Sequence, residues 1–186
     1  MAEHRTMQRG ALLEAARSLL VEGGARALTF AALAERTGLA RSSVYEYFPS
    51  RGALVAQLCA NDFPLWAAEV TAAMDAADSP REKIAAYVRQ QLALATDQRH
   101  QAVVAISTSE LDEAARGEIR AAHRGLAELV VELLRELGHR EPLVVAGLLR
   151  GLVDAAVRAA AGPDAPAPER IAELAVAVAL DGVAGA

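Results

Sequence analysis

The segment that decides the fold is residues 29–51, with the sequence TFAALAERTGLARSSVYEYFPSR. Thr29 offers a hydroxyl that can cap the start of a helix, and Gly38 is placed to end that helix. Pro49 disfavours helix at the residue before it, so a second short helix is expected over about residues 41–47. The segment therefore predicts two short helices joined by a tight turn.

The same segment has the residue types that a helix-turn-helix needs, namely a small residue where the helices cross, a glycine in the turn and apolar anchors. These positions are Ala34, Gly38, Leu39, Val44 and Phe48. When they point inward, the others on the second helix face outward or sideways: Arg41, Ser42, Ser43, Tyr45, Glu46 and Tyr47. Such a helix can reach phosphates and base edges in a major groove, because arginine and tyrosine are long and serine permits close approach. A three-helix bundle for protein contacts is the alternative, and the exposed tyrosines beside arginines disfavour it.

Helical patterns continue on both sides of this segment. Alanine occupies 44 of 186 positions, which favours helix, and few segments alternate as strands do. One helix is expected over about residues 6–22, and Ser79 followed by Pro80 gives a strong start signal for another. Pro64 interrupts the fourth helix, as a hinge or as a static kink. The chain is predicted to be all-α, with about nine helices.

Residues 29–39, together with Ser43 to Arg51 and Leu54, resemble the DNA-binding segment of TetR-type bacterial transcriptional regulators. The Tyr-x-Tyr-Phe-x-Ser-Arg ending is specific, and the first helix extends the resemblance to about residues 6–58. The resemblance implies a helix-turn-helix DNA-binding domain at residues 1–50 and a helical effector-binding and dimerisation domain at residues 51–186. It also implies a repressor that binds a near-palindromic operator as a homodimer.

The resemblance further implies which side chains touch DNA. The implied phosphate contacts are Thr29, Ser43, Tyr45, Tyr47 and Arg51. Arg41 and Ser42 match base-reading positions, and Glu46 either accepts a hydrogen bond from cytosine or is a solvated charge that tunes specificity. The sequence departs from the family pattern at Ala40, where a capping serine is frequent, and at Arg51, where lysine is more frequent.

The charge distribution agrees with a DNA-binding head. The net charge is −5, yet residues 1–60 carry seven arginines and five acids, so the remaining residues hold the excess of acid. A mildly basic head on an acidic body suits a protein whose head alone meets DNA.

The last two predicted helices favour a dimer interface. Around the polar stripe of Arg150, Asp154 and Arg158, the eighth helix is apolar or glycine, so it needs cover on two sides. Small residues recur every fourth position and would let a partner helix approach closely. The expected interface residues are Gly147, Gly151, Ala155, Leu174 and Val178. Full burial inside a monomer is the alternative.

Polar side chains interrupt the apolar faces of the body and are candidates for a ligand pocket. They are Trp66, Tyr87, Gln91, His100, Ser107 and His123. A mostly apolar cavity with a few polar groups would suit a small, largely hydrophobic effector. Each residue could instead be a satisfied polar group in the core, and a regulator controlled by a protein partner or by abundance needs no effector.

Other function classes find little support in the sequence. Ser107, His123 and Asp154 could be assembled into a triad, but no strained nucleophile turn or oxyanion loop accompanies them. Neither a metal-ligand spacing nor a cofactor fingerprint occurs, and Cys59 is the single cysteine. No apolar run of 18 residues or secretory signal is present, so a cytoplasmic protein without membrane association is expected.

Overall fold

The computed structural model describes residues 2–111, 113–160 and 165–182. Every regular element within these residues is an α-helix, and nine are found there. They are α1 (Ala2–Ala27), α2 (Phe30–Thr37), α3 (Arg41–Tyr47), α4 (Arg51–Asp75), α5 (Pro80–Thr96), α6 (Gln98–Glu110), α7 (Glu113–Glu136), α8 (Pro142–Ala160) and α9 (Pro168–Asp181). The all-α prediction is confirmed.

Local signals in the sequence set the helix ends around the turn. The Thr29 Oγ1 accepts a hydrogen bond from the Ala32 N–H at 3.1 Å, which caps α2. Gly38 ends α2 with φ of 69°, in the left-handed region that glycine adopts without a steric penalty. At the start of α5, the Ser79 Oγ accepts from the Glu82 N–H at 3.2 Å, as the capping-box pattern predicts.

The end of α1 differs from the prediction. Gly23 and Gly24 have non-helical backbone angles, as expected of a helix end, but helical structure resumes as far as Ala27. The φ of 62° at Gly24 again requires the left-handed region. At its other end α1 begins at Ala2, four residues before the predicted start, so its first turn carries side chains that the prediction left outside the helix.

The chain divides into two compact units, Met1–Phe63 with Gln98–Ile119 and Pro64–Asp97 with Arg120–Ala186. The first division falls at Pro64, within α4. The compact unit at the N-terminus is therefore larger than the predicted DNA-binding domain of residues 1–50. That functional boundary stays a prediction.

The first unit is built on α1, which packs against α2 and α6, while α2 packs on α3. Its core consists of leucines, valines, phenylalanines and alanines, together with Ile106 and Cys59, and all of these are at most 8% exposed. The largest fully buried side chains among them are Leu12, Leu28, Leu33, Val44, Phe48, Leu54, Val55, Leu58, Val103 and Ile106.

An ion pair joins α1 to α4 inside this unit. The Arg17 Nε donates to the Asp62 Oδ2 at 2.9 Å, and its Nη2 donates to the Oδ1 at 2.5 Å. Glu14 pairs with the third nitrogen of Arg17 at 3.0 Å and also with Arg99 of α6. Asp62 is only 4% exposed, so the arginine supplies the compensation that a buried carboxylate needs.

In the second unit, α5, α8 and α9 pack against one another. Their buried residues form one apolar cluster with the described part of α7 and the last turns of α4. The polar stripe predicted on α8 is exposed, as are Leu143, Val144 and Leu148 beside it. This unit therefore presents an apolar helix surface to solvent.

Candidate nucleic-acid interface

The third helix presents its polar side chains outward. Val44 is fully buried and Phe48 is 1% exposed, so these two anchor the helix on the core of the first unit. The predicted contact residues lie on the other side of the helix: Arg41, Ser42, Tyr45 and Glu46 are exposed, and Ser43 and Tyr47 are partly buried. The inward and outward assignment made from the sequence is confirmed for these residues.

Tyr45 and Arg41 form a small cluster on this surface. The Tyr45 ring packs against Phe30 with ring centroids 4.6 Å apart and planes tilted by 60°. The Arg41 Nη2 donates to the Tyr45 hydroxyl at 3.5 Å, and its guanidinium carbon lies 5.9 Å from the centroid of the ring. Because Phe30 is buried in the core, it holds the Tyr45 ring and Arg41 in a defined position.

The phosphate contact that the resemblance implies for Thr29 stays a prediction, and the structure shows what else this side chain does. Thr29 is exposed, and its oxygen already accepts the Ala32 N–H. Its hydroxyl hydrogen is left to donate, which is the hydrogen that a phosphate oxygen accepts. The cap of α2 and a contact to DNA are therefore compatible in one side chain.

Arg51 makes contacts with other residues of the first unit. Its Nη2 donates to the Ala25 carbonyl at 2.6 Å and lies 3.4 Å from the Glu110 Oε1. The buried Arg51 Nε has no hydrogen-bond partner among the residues that the structure describes. Arg51 therefore helps to hold the segment after the Gly24 bend, a role that the sequence did not predict. Its contact with a phosphate stays a prediction.

The first turns of α1 adjoin the end of α3, and sequence reasoning missed this. The Tyr47 hydroxyl donates to the Gln8 Oε1. The Arg5 guanidinium lies 5.7 Å from the Tyr47 ring centroid, and the Arg9 guanidinium lies 5.8 Å from that of Phe48. Two arginines four residues apart share one helix face, but Arg5 lay before the predicted helix start, so the pair was not recognised.

The second unit contains a cavity of about 270 Å³ between α5, α7 and α8. Of the predicted pocket residues, Tyr87 and Gln91 line it, with Arg150 and Asp154 as its charged groups. Burial raises the pKa of Tyr87 above its ordinary value of 10.0, so the hydroxyl stays protonated at neutral pH. The remaining lining is apolar or glycine: Leu126, Ala127, Val130, Val131, Leu143, Ala146, Gly147 and Val153.

The other predicted pocket residues are not gathered with these two. Trp66 packs against the apolar cluster of the second unit without being one of the described residues that line this cavity. His100 and Ser107 belong to the first unit, where the buried Ser107 Oγ donates to the Val104 carbonyl at 2.7 Å. The His123 side chain lies outside the described part of the structure.

The predicted dimer residues lie on or beside an exposed surface. Gly147, Gly151 and Ala155 are exposed, Leu174 is 38% exposed and Val178 is partly buried. Next to the glycines, Val144 is 58% exposed and Leu148 is 68% exposed. We call Val144, Gly147, Leu148, Gly151 and Ala155 the α8 face, because their spacing places them on one side of the helix.

The fold and the outward side of α3 define an all-α protein with an N-terminal helix-turn-helix. The sequence model described as "Bacterial regulatory proteins, tetR family" matches residues 12–58, which contain the larger part of α1, all of α2 and α3, and the start of α4. Residues 12–58 therefore match this family, as the resemblance of the sequence implied. No curated protein sequence matches it at a significant level.

Solved structures with this fold cover nearly the whole chain at low identity. FadR from Bacillus subtilis, a transcriptional regulator in complex with stearoyl-CoA, is 16% identical with a TM-score of 0.74, covering 93% of this chain and 98% of its own. AibR, in complex with isovaleryl coenzyme A and operator DNA, is 18% identical with a TM-score of 0.73 and the same coverage. The superantigen PfiT is 19% identical with a TM-score of 0.80, covering 94% of this chain and 96% of its own. The fold is thus shared with regulators and with a protein of another description.

No helix in the described residues is long and apolar enough to cross a membrane.

Proposed function

We propose that this protein is a transcriptional repressor that binds a near-palindromic operator as a homodimer and is released by a small effector. The observation that carries the proposal is the outward face of α3, which lies within the family match and presents arginine, serine and tyrosine on a buried anchor. A helix with these side chains fits a major groove. A repressor of this kind acts with the chromosome in the cytoplasm, and it needs neither a cofactor nor catalytic residues.

Within residues 1–50 and Arg51, two groups of side chains have different tasks. Thr29, Ser43, Tyr45, Tyr47 and Arg51 contact phosphates and fix the position of the head on the duplex, and the Tyr47 hydroxyl exchanges the Gln8 Oε1 for a phosphate oxygen when it does so. Arg41, Ser42 and Glu46 meet base edges and choose the sequence. Removing a phosphate contact lowers the affinity for all sequences. Removing a contact with a base edge changes the preference at particular base pairs.

The dimer is proposed to form through the α8 face together with Leu174 and Val178 of α9. A cluster of exposed apolar side chains such as Val144 and Leu148 is typical of an interaction surface. A Cβ atom added at Gly147 or Gly151 would meet no described atom of this chain within 4 Å, so packing inside the subunit does not require these glycines. A second copy of the helix could approach closely over them.

The effector is proposed to bind in the cavity between α5, α7 and α8. FadR and AibR, which share the fold, were solved with acyl-coenzyme A molecules, and here apolar walls could take an acyl group beside Arg150. The volume of about 270 Å³ lies below the ~300–1,000 Å³ of drug-sized ligands, which favours a short acyl chain. Binding would release DNA only if the effector prefers a conformation whose heads do not fit the operator. A regulator without an effector is the second candidate.

Selection of duplexes from a random-sequence library by the purified protein tests the DNA-binding part. We expect enrichment of a near-palindromic site, and failure to enrich any sequence at moderate salt would contradict the proposal. On the enriched site, Arg41→Ala should change the preference at particular base pairs by about 1–3 kcal/mol. A uniform loss on every sequence would contradict the base-reading task of Arg41.

Addition of isovaleryl-coenzyme A to the protein bound to this duplex tests the effector part. We expect release of DNA and a higher melting temperature of the free protein, because a ligand that binds the native state stabilises it. Gln91→Leu should weaken both effects, and the matched change Gln98→Leu, at an exposed residue of α6, should not. Unchanged DNA binding across a series of short acyl-coenzyme A molecules would favour the regulator without an effector of this class.

A further inference from the structure

The first unit contains a cleft of about 280 Å³ between the start of α1 and the end of α3. The described residues that line it are Arg5, Thr6, Arg9 and Tyr47. Two of these four side chains are cations and none is an acid. The cleft therefore suits an anion.

Aromatic rings hold both arginines at the cleft. The Arg5 guanidinium lies over Tyr47 at 5.7 Å from the ring centroid, and the Arg9 guanidinium lies over Phe48 at 5.8 Å. Arg9 also donates through its Nη2 to the Gln57 Oε1 of α4. A guanidinium has five N–H donors in a planar fork, so stacking and one hydrogen bond leave donors for a bidentate contact with an anion.

Tyr47 connects this cleft to the DNA-reading helix. It is the last residue of α3, the helix that carries Arg41 and Ser42, and its hydroxyl donates to the Gln8 Oε1 of α1. A duplex that lies against α3 brings its phosphates to the ends of this helix as well as to its middle. Arginine is suited to such a phosphate, because its charged, bidentate hydrogen bonds are about twice as strong as neutral ones.

We propose that Arg5 and Arg9 bind a backbone phosphate of duplex DNA, next to the surface that α3 offers. This inference rests on the proposed function of the head and extends its phosphate contacts beyond the residues 29–51 that the family pattern marks. The contact is independent of sequence, so it strengthens binding to any duplex and positions the head without reading bases.

The salt dependence of DNA binding tests the proposal. Binding constants of the full chain and of the double variant Arg5→Gln/Arg9→Gln are measured from 50 to 200 mM salt, on a selected duplex and on a scrambled duplex of equal length. Each neutralised phosphate contributes about 0.9 to the slope of log K against log salt, so losing one contact per head flattens the slope of a dimer by about 1.8. The ratio of the wild-type binding constant to that of the double variant should then fall roughly tenfold from 50 to 200 mM salt on both duplexes.

Two further variants separate the contact from general charge and from folding. Arg124→Gln/Arg135→Gln on α7 changes the net charge equally, and its slope should equal that of the wild type. Arg5→Lys/Arg9→Lys keeps both charges and should restore most of the slope. Arg5→Gln alone retains the Arg9 contacts with Phe48 and Gln57, so it should fold normally and still flatten the slope.

Replacement of single phosphates by neutral methylphosphonates identifies the partner. In the wild type we expect at least one position per half-site where the replacement weakens binding, and in the double glutamine variant that position should have no effect. Specific binding with an unchanged slope in the double variant would overturn this inference and leave the proposed function standing. Absence of binding to any duplex would overturn both.

Free phosphate is the other source of the same chemistry. The melting temperature is measured without DNA in inorganic phosphate and in chloride of equal ionic strength. We expect phosphate to raise the melting temperature of the wild type no more than it raises that of the double variant. If such stabilisation occurs and the slopes on DNA are equal, the cleft binds free phosphate and the assignment to duplex DNA is wrong.

Discussion

At the scale of single residues, Asp62 shows how the first unit accommodates a charge in its interior. The carboxylate is 4% exposed and receives two nitrogens of Arg17, whose own pKa is raised by this hydrogen bonding. Removing the Asp62 charge leaves the partly buried Arg17 with Glu14 as its remaining partner, so Arg17 loses most of the compensation for its burial. We expect Asp62→Asn to lower the free energy of unfolding by on the order of 3 kcal/mol, measured by urea denaturation.

The matched control for this change is Glu132→Gln, which neutralises the carboxylate of the exposed pair Arg135 and Glu132. Because both members of that pair are solvated, its loss should change the free energy of unfolding by less than about 0.5 kcal/mol. Equal effects of the two substitutions would show that the Arg17 and Asp62 pair is no more important to folding than a surface pair.

Cys59 lies one turn before Asp62 and is 2% exposed. Burial, with the nearby Asp62 carboxylate, raises the pKa of its thiol from 9.0 to about 12. At pH 8 the reactive thiolate is then about a thousandfold scarcer than in an unperturbed thiol. We expect a thiol reagent to modify the native protein extremely slowly and the urea-unfolded protein at an ordinary rate. Rapid modification of the native protein would contradict this.

The same shift has a consequence for stability at alkaline pH. The unfolded thiol loses its proton first, so the contribution of Cys59 is complete below pH 9 and is lost as the pH rises toward 12. Wild type and Cys59→Ala, which has no thiol, are compared by urea unfolding across this range. The stability of the wild type should fall relative to the variant above pH 9, and a constant difference would contradict the raised pKa.

At the scale of the helices, α3 lacks one of the usual stabilising devices. Ala40 occupies its N-cap position and has no side-chain oxygen to accept the free N–H groups of the first turn. Its backbone is extended, as an N-cap requires, so a serine could cap the helix without rearrangement. We expect Ala40→Ser to raise the free energy of unfolding by about 1 kcal/mol.

Urea denaturation measures this change, with Ala60→Ser as the control. Ala60 is an exposed residue inside α4, where serine has a lower helix propensity than alanine, so the control should be slightly destabilising. If both serines destabilise the protein equally, the start of α3 does not accept a cap.

The bounds of α3 could be predicted because its limits are local. Gly38 and Pro49 restrict the backbone within a few residues of the helix, and the apolar positions determine which side faces the core. The contacts of Arg51 could not be predicted, since the Ala25 carbonyl comes within reach only through the bend at Gly24. The arginine cleft was missed for a similar reason, because it depends on where α1 begins and on its packing beside α3.

At the scale of the whole molecule, the two units present surfaces of different character. The first presents cations and hydroxyls along α3 and at the start of α1, whereas the second presents leucines, valines and glycines along α8. Water solvates the first kind of surface readily. Covering an apolar face with another apolar surface lowers the free energy, so the second kind favours association. The charge pattern and the apolar pattern therefore agree with a DNA-binding head carried by a self-associating body.

Gly151→Glu tests this arrangement without disturbing the subunit itself. A side chain at Gly151 meets no described atom of its own chain within 4 Å, and it replaces glycine by a better helix former, so the variant should fold. In a closely packed dimer, two glutamates would be brought together in an apolar interface. We expect monomers in sedimentation, with an unchanged circular dichroism spectrum.

Gly125→Glu on α7 is the control, because Gly125 is also exposed and open but belongs to a helix outside the proposed interface. That variant should stay dimeric. The two recognition helices of a dimer contact half-sites about 34–36 Å apart or somewhat more. A monomer has one such helix, so Gly151→Glu should bind a full operator no more tightly than a single half-site. A dimeric Gly151→Glu protein with full operator affinity would place the interface on another surface, and the exposed leucines and valines of α8 would then need a different partner.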